Sequence, residues 1–252
     1  MITEYHRPQT IEAALVLLSR ENPLTIPLAG GTAINRASEQ PTAVVDLQLL
    51  GLNLLTWRGN FVDIGAMASL QALLESKLPE ALLKATKLEA TYNLRQMATA
   101  GGTLVAADGR SPFTTVLLAL DASVTMLPGG DTAGLGDIMP FRSEKLRGRL
   151  ITQVTLPTRI NLAYEYIART PADLPIVCAG LAIWPSGRVR LALGGFGSAP
   201  TLAFDGCEAN GLEAAARSAY AQAGDEWASA EYRQEMAGVL ARRCLGQLNK
   251  SE

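Results

Sequence analysis

The sequence predicts an α+β protein in two parts, and three observations carry that reading. Up to about residue 157, short strand-like runs are interleaved with helical stretches; from 162 three strand-like runs follow one another and two helical stretches close the chain. The tetrapeptide Ala-Gly-Gly-Thr occurs twice, at 29–32 and 100–103, each time embedded in apolar sequence and neither time as part of a longer repeat. Finally, 252 residues of which 48% are hydrophobic are enough to bury one large core or two smaller ones.

The elements follow in order. Residues 10–21 place Ile11, Ala14, Leu15 and Leu18 on one helical face, with Thr10 as N-cap and Asn22-Pro23 as a stop. A short strand over Leu24–Leu28 leads into the first glycine pair, and strands are expected over 43–47 and 61–66, where Val62 and Ile64 alternate with polar residues. Ser69 is positioned to cap a short helix, and Pro79 to sit in the first turn of another that runs to about Ala90. After the second glycine pair, 111–121 reads as helix, 122–127 as strand, 128–137 as a glycine loop and 150–157 as a strand closed by proline. Strands are then expected over 162–168, 175–184 and 189–196, with Pro-Ser-Gly at 185–187 as a hairpin turn, and helices over 208–223 and 229–248. The division is a mixed α/β domain to about 157 followed by a sheet-plus-helices domain.

Composition narrows the partners. A formal net charge of −2 provides no field for holding nucleic acid or an anionic membrane, and the apolar runs are too short and too broken to span a bilayer. The N-terminus lacks the order of a signal peptide. Cys178, Cys207 and Cys244 are far apart and form neither a disulfide framework nor a Cys-x-x-Cys metal or cluster site, so a cytoplasmic protein is expected.

The glycine pairs carry the chemistry. Glycine tolerates positive φ and lets a ligand lie against the backbone; successive amides in such a turn form a concave nest for anions, and threonine adds a hydroxyl donor. Two such loops brought together could hold a pyrophosphate without any lysine, whereas either pair alone reads first as a tight turn. Neither copy is a Gly-x-Gly-x-x-Gly fingerprint, and no Gly-x-x-x-x-Gly-Lys-[Ser/Thr] occurs, which argues against Rossmann and P-loop sites.

On these residues the chain resembles the FAD-binding medium subunit or domain of the molybdenum hydroxylases, the carbon monoxide and xanthine dehydrogenase group. The resemblance runs nearly end to end: EYHRPQTIEAALVLL at the start, PLAGGTAI at the first glycine loop, VVDL and DIGAMASLQALL after it, NLRQMATAGGTLVAAD at the second, and DLPIVCAGLAI and SAEYRQEMAGVLARRCL toward the end. It implies a two-part FAD-binding domain of the vanillyl-alcohol-oxidase (PCMH) type over 1–157, split near 50–56. A small α/β C-terminal domain like that of the carbon monoxide dehydrogenase flavoprotein would then occupy 158–252. It implies that Leu28, Ala29, Gly30, Gly31, Thr32 and Ala33 on one loop, and Thr99, Ala100, Gly101, Gly102 and Thr103 on the other, clasp the FAD pyrophosphate. Asp108 is retained from the family pattern, and the flavin ring would be flanked near Asp173 and Leu174.

FAD is expected to be non-covalent, because the loops contain no His, Cys or Tyr. The implied partners are an iron–sulfur subunit and a molybdopterin subunit, with NAD or another compound as acceptor; hydroxylation by this chain alone is not expected. Three departures stand out: Thr103 replaces the family's asparagine, Pro112 stands where an acidic residue is common, and the stretch 128–140 is short. The departures at Thr103 and Pro112 motivate an alternative reading, a family member with weak or lost FAD binding that serves assembly or interaction.

Other residues read as structural. His6 is the only histidine, so no Ser-His-Asp or Cys-His set can be built. Trp57, Trp184 and Trp227 are isolated and expected to pack, Tyr164 and Tyr166 alternate on one strand, and Arg147, Arg242 and Arg243 are candidates for docking a partner.

Overall fold

The computed structural model describes residues 2–34 and 41–250. The chain forms two compact units, each assembled from three segments: unit 1 from Met1–Leu73, Tyr92–Ala106 and Ser123–Thr155, unit 2 from Leu74–Thr91, Ala107–Ala122 and Leu156–Glu252. From the sequence a single boundary at 157/158 is expected; the last passage of the chain from unit 1 to unit 2, at Thr155–Leu156, falls beside it.

Unit 1 holds two sheets. Strands β1 (Ile2–His6), β2 (Leu24–Leu28) and β3 (Thr42–Asp46) form a parallel sheet in the order β1-β3-β2. Helix α1 (Ile11–Leu18) connects β1 to β2; the Thr10 hydroxyl caps it by accepting from the Ala13 amide at 3.2 Å, and Ala14 and Leu18 pack with Val45 and Leu47. The second sheet has the order β4-β5-β8-β6-β7, from β4 (Leu55–Arg58), β5 (Phe61–Gly65), β6 (Ser123–Leu127), β7 (Asp131–Gly134) and β8 (Leu150–Pro157). Short helices decorate this unit: α2 (Leu70–Leu74), capped by the Ser69 hydroxyl at the Ala72 amide, α4 (Tyr92–Met97), α5 (Ala100–Ala106), α7 (Leu135–Ile138) and α8 (Arg142–Lys145).

Unit 2 is a layered sandwich. Strands β9 (Asn161–Ile167), β10 (Val177–Ile183), β11 (Val189–Gly194) and β12 (Thr201–Gly206) make an antiparallel sheet in the order β12-β11-β10-β9. The period of two divides its residues. Val177, Ala179 and Leu181 pack with residues of α9 (Leu212–Ala219) and α10 (Ala230–Leu248). On the opposite face a β-carbon on Gly180 would meet Val116 and Ala119 of α6 (Pro112–Ala119) at 3.3–3.5 Å, so glycine lets that helix lie close on the sheet. Helix α3 (Glu80–Glu89) packs beside α6. Three hydrogen bonds stabilise the start of α6. Ser111 caps it through the Thr114 amide, and the Glu89 carboxylate accepts from the Phe113 amide at 2.9 Å and from the Ser111 hydroxyl at 2.8 Å. Burial pushes the Glu89 carboxyl up to about 7 despite these two hydrogen bonds, which favour the ionised form.

Several expectations are corrected. The stretch 128–137 is not one loop: Gly129 and Gly130, at φ +104° and +71°, form a hairpin turn, and Asp131–Gly134 pairs back on β6 before α7 begins. Glycine richness marked the turn, not the length of the irregular segment. Trp57 and Trp227 are substantially exposed; Trp57 lies on an edge strand, and Trp227 is stacked by the guanidinium groups of Arg110 and Arg169 at 4.5 and 5.0 Å from its ring centre. Strands β1, β4, β7 and β12 and helices α4, α5, α7 and α8 lie outside the elements that the sequence predicts. The Pro-Ser-Gly hairpin stands: the Gly187 amide donates to the Trp184 carbonyl at 2.9 Å, with Gly187 at φ +85°.

Candidate functional site

The two Ala-Gly-Gly-Thr segments belong to unit 1 and lie against each other. A β-carbon on Gly30 would fall well inside contact distance of the Met97 carbonyl oxygen, and one on Gly102 would sit 3.5 Å from the Ala29 β-carbon. The pairing of Leu70 and Ala100 amides with the Ala98 and Ala68 carbonyls, at 2.9 Å each, fastens the second segment in place.

The two copies differ in conformation. The first follows the C-terminal end of β2 as an irregular loop, with Gly31 at φ +72°. Among the described residues, the amides of Ala29, Gly30, Gly31, Thr32 and Ala33 donate to no protein acceptor, and the loop is partly to fully exposed. Five amides in sequence around a left-handed glycine make a donor surface for an anion. The second copy, expected to be a loop, is instead the first turn of α5. The Thr99 hydroxyl accepts from the Gly102 amide at 3.1 Å, the Thr103 amide donates to the Thr99 carbonyl at 2.8 Å, and the Gly101 amide donates to the Ala66 carbonyl at 2.9 Å. Its glycines do not adopt positive φ; they permit close approach, since a β-carbon on Gly101 would lie 2.8 Å from the Ala66 β-carbon. One copy therefore offers donors and the other offers a smooth wall.

The remaining residues implied by resemblance belong to unit 2. Asp108 is exposed and its carboxylate accepts from the Arg110 amide at 2.8 Å. Asp173 is exposed, with its amide on the Thr170 carbonyl, and the Leu174 carbonyl accepts from the Arg110 guanidinium at 2.7 Å. Arg110, which also donates to the Pro175 carbonyl at 3.1 Å, ties 108–110 to 174–175. Nothing in the residue pattern singled it out. Ala66 and Ala68, whose carbonyls anchor the second copy, were equally invisible as contacts, although they sit in the segment DIGAMASLQALL that the resemblance covers.

Tyr164 is fully buried, its ring stacked on Tyr166 with centroids 6.0 Å apart, and burial raises its hydroxyl well above the ordinary tyrosine range. His6 bonds to Glu4 at 2.8 Å and lies near Arg20, a structural cluster. Among the described residues no group of three His, Cys, Asp or Glu could hold a metal ion, and no helix is long and apolar enough to cross a membrane.

Comparison with known proteins follows the same lines. Residues 1–159 match the family model described as FAD binding domain in molybdopterin dehydrogenase. Among proteins, the chain is 30% identical over 249 residues to protein YgfM of Escherichia coli (strain K12), spanning 95% of this chain and 94% of that one. It is 28% identical over 275 residues to the carbon monoxide dehydrogenase medium chain of Afipia carboxidovorans, spanning 96% and 95%. Among solved structures it is similar to a chain of a Cu,Mo-CO dehydrogenase, with a TM-score of 0.86 at 26% identity over 100% of this chain and 99% of the other. A chain of the CO dehydrogenase from Oligotropha carboxidovorans gives a TM-score of 0.84 at 27% identity over 96% of each.

Proposed function

Because the chain belongs to the family of FAD-binding domains in molybdopterin dehydrogenases, with the two-part PCMH-type FAD-binding architecture followed by a small α/β domain, we propose that it is the FAD-binding electron-transfer subunit of a molybdenum hydroxylase. In this reading it takes electrons from iron–sulfur and molybdopterin partner subunits and passes them to NAD or another acceptor. It is an oxidoreductase subunit that does not hydroxylate substrate alone.

The cofactor is FAD, and the residues fit it. The carrying observation is the open donor loop: among the described residues the five consecutive amides of Ala29 to Ala33 have no protein acceptor, and Ala29 lies against Gly102 of a turn that carries no side chains at Gly101 and Gly102. A diphosphate carries acceptors on several sides, and hydrogen bonds to a charged acceptor contribute about 1.5–3 kcal/mol each. The amides of 29–33 and the Thr32 hydroxyl bind and orient; the Gly101–Gly102 turn excludes side chains from the space. Bound FAD supplies the redox chemistry, which no side chain of this protein supplies. Attachment is non-covalent, since neither copy contains a His, Cys or Tyr. Asp108, Asp173 and Leu174 are assigned to the cofactor on resemblance alone.

The purified chain is expected to be yellow, and denaturation is expected to release all flavin into the supernatant. Flavin retained on the precipitated chain would overturn non-covalent binding. Co-expressed with its two partner subunits it is expected to support hydroxylation with NAD as acceptor; a complex that hydroxylates equally well without it would overturn the electron-transfer role.

One observation favours the second reading, an assembly subunit with weak FAD binding. The amides of Ala100, Gly101, Gly102 and Thr103 all have protein acceptors, so the second copy adds no free backbone donor. A colourless chain that still joins its partners in a stable complex would select that reading.

A further inference from the structure

The glycine loop offers an anion only uncharged donors, and the strand register shows which charged side chain stands at the same end of the sheet. In the parallel sheet Tyr5 pairs with Val44, Ile26 with Val44, and Leu28 with Asp46. Paired residues in parallel strands share a face, and residues two apart share it too. Tyr5, Arg7, Asp46 and Leu28 therefore lie on one face, with Arg7, Asp46 and Leu28 at the C-terminal end of the sheet. Gly31 is on that face as well, since its β-carbon position is 3.7 Å from the Leu28 Cδ1. Glu4 and His6 alternate to the opposite face, where they bond to each other and to Arg20.

On the shared face the Asp46 carboxylate is a fixed post. Its side chain is 4% exposed, and it accepts from the Tyr5 hydroxyl and from the Gln48 amide at 2.9 Å. Arg7 places Nε 3.5 Å from the Asp46 carboxylate and donates through Nη2 to the Gln48 side-chain carbonyl at 2.9 Å. The anion of this pair is buried and its bonding capacity is taken up inside the protein. The cation is 46% exposed, and among the described residues its Nη1 meets no acceptor. The guanidinium is thus tied to Asp46 and Gln48 at the C-terminal end of β3, the strand that lies between β1 and the β2 strand from which the glycine loop leaves. Ligands of open sheets with parallel strands gather outside the carboxyl ends of those strands.

We propose that Arg7, oriented by Asp46 and Gln48, is a further cofactor-binding side chain whose guanidinium supplies the positive charge for the diphosphate of FAD. The inference rests on the reading that FAD is held at the 29–33 loop. An arginine fork matches phosphate oxygens in pairs, and tethering one edge of it to Asp46 and Gln48 leaves the other edge presented outward.

The test is a flavin-fluorescence titration of apoprotein with FAD at low and at high ionic strength, for the wild type, Arg7→Gln and Arg7→Lys. Thermal unfolding of each apoprotein serves as control. Arg7→Gln is expected to weaken FAD binding roughly 10- to 100-fold at low ionic strength. It should also flatten the salt dependence, because a half-exposed charge contact is screened by salt. Arg7→Lys is expected to keep the salt dependence with intermediate affinity. Affinity within about twofold of wild type for Arg7→Gln, at both ionic strengths, would overturn the proposal. So would equal weakening in both variants with the wild-type salt slope, which marks a structural clasp. If Arg7→Gln does not fold, the wild type and Arg7→Lys decide: FAD affinity that does not fall with ionic strength overturns it. A wild-type protein that binds no FAD would instead sink the underlying FAD reading.

Discussion

Two segments of identical sequence, Ala-Gly-Gly-Thr at 29–32 and at 100–103, fold into different structures. The first emerges from the end of a parallel strand, where none of the described residues receives its amides, and Gly31 turns through the left-handed region. The second is preceded by Thr99, whose hydroxyl captures the Gly102 amide, and it meets the carbonyls of Ala66 and Ala68, which capture those of Gly101 and Ala100. With acceptors supplied on both sides, the same four residues enter a helix. Glycine serves backbone conformation in one copy and proximity in both; in a binding site these are separate functions that a shared motif conceals.

The comparison can be broken most forcefully at Gly30. Gly30→Ala drives a β-carbon into the backbone carbonyl of Met97, where no side chain can move aside. Unit 1 is expected to lose about 3 kcal/mol of stability and its flavin with it. Chemical denaturation read by near-ultraviolet dichroism measures the loss, and a variant as stable as wild type would show that the first copy does not pack against the Met97 backbone.

Gly31→Ala should be milder. Its β-carbon meets only the Leu28 side chain at 3.7 Å, so the cost is the left-handed conformation, about 1–2 kcal/mol. Stability measured together with FAD affinity checks this; no loss in either would mean that the loop does not need φ near +72°.

Gly102→Ala sharpens the contrast. Alanine favours a helix over glycine by about 1 kcal/mol, which opposes the close approach of a β-carbon to the Thr99 hydroxyl at 2.9 Å. Stability is expected to stay within about 1 kcal/mol of wild type, while FAD affinity falls because the wall beside Ala29 gains a methyl group. A destabilisation as large as that of Gly30→Ala would make the two glycines equivalent after all.

The smallest effect on flavin is expected from Glu89→Gln in unit 2, which serves as a control for the loops in unit 1. The folded carboxyl, near 7, lies above the ordinary glutamate value of 4.5. Its contribution to stability is therefore fully present below about 4.5 and is lost as pH rises through 7. Wild type should be less stable at pH 8 than at pH 5 by about 1–3 kcal/mol, and Glu89→Gln should flatten that profile. FAD affinity should not change. A profile unaffected by the substitution would show that the carboxyl is not desolvated at the α6 N-terminus.

Much of the framework was legible because its causes are local. Thr10 caps the helix expected after it, and Ser111, the first residue of the helix expected over 111–121, is its cap. The alternating Val62 and Ile64 face a core, and Leu24–Leu28 is the strand that leads into the first loop. The membership in a family of FAD-binding domains was legible from the order and spacing of several motifs, which one short motif could not have established.

What the sequence alone determined is where glycine stands and which runs bury their apolar faces. Both follow from backbone sterics and side-chain polarity over a few residues. Among the described residues, tertiary structure alone decided which copy of Ala-Gly-Gly-Thr keeps its amides free, that Gly30 lies under Met97, and that Arg7 meets Asp46 at the end of a sheet. The physical reason is that hydrogen-bond acceptors and close neighbours for these residues come from strands and turns tens of positions away. A donor's availability is set by whether such an acceptor arrives.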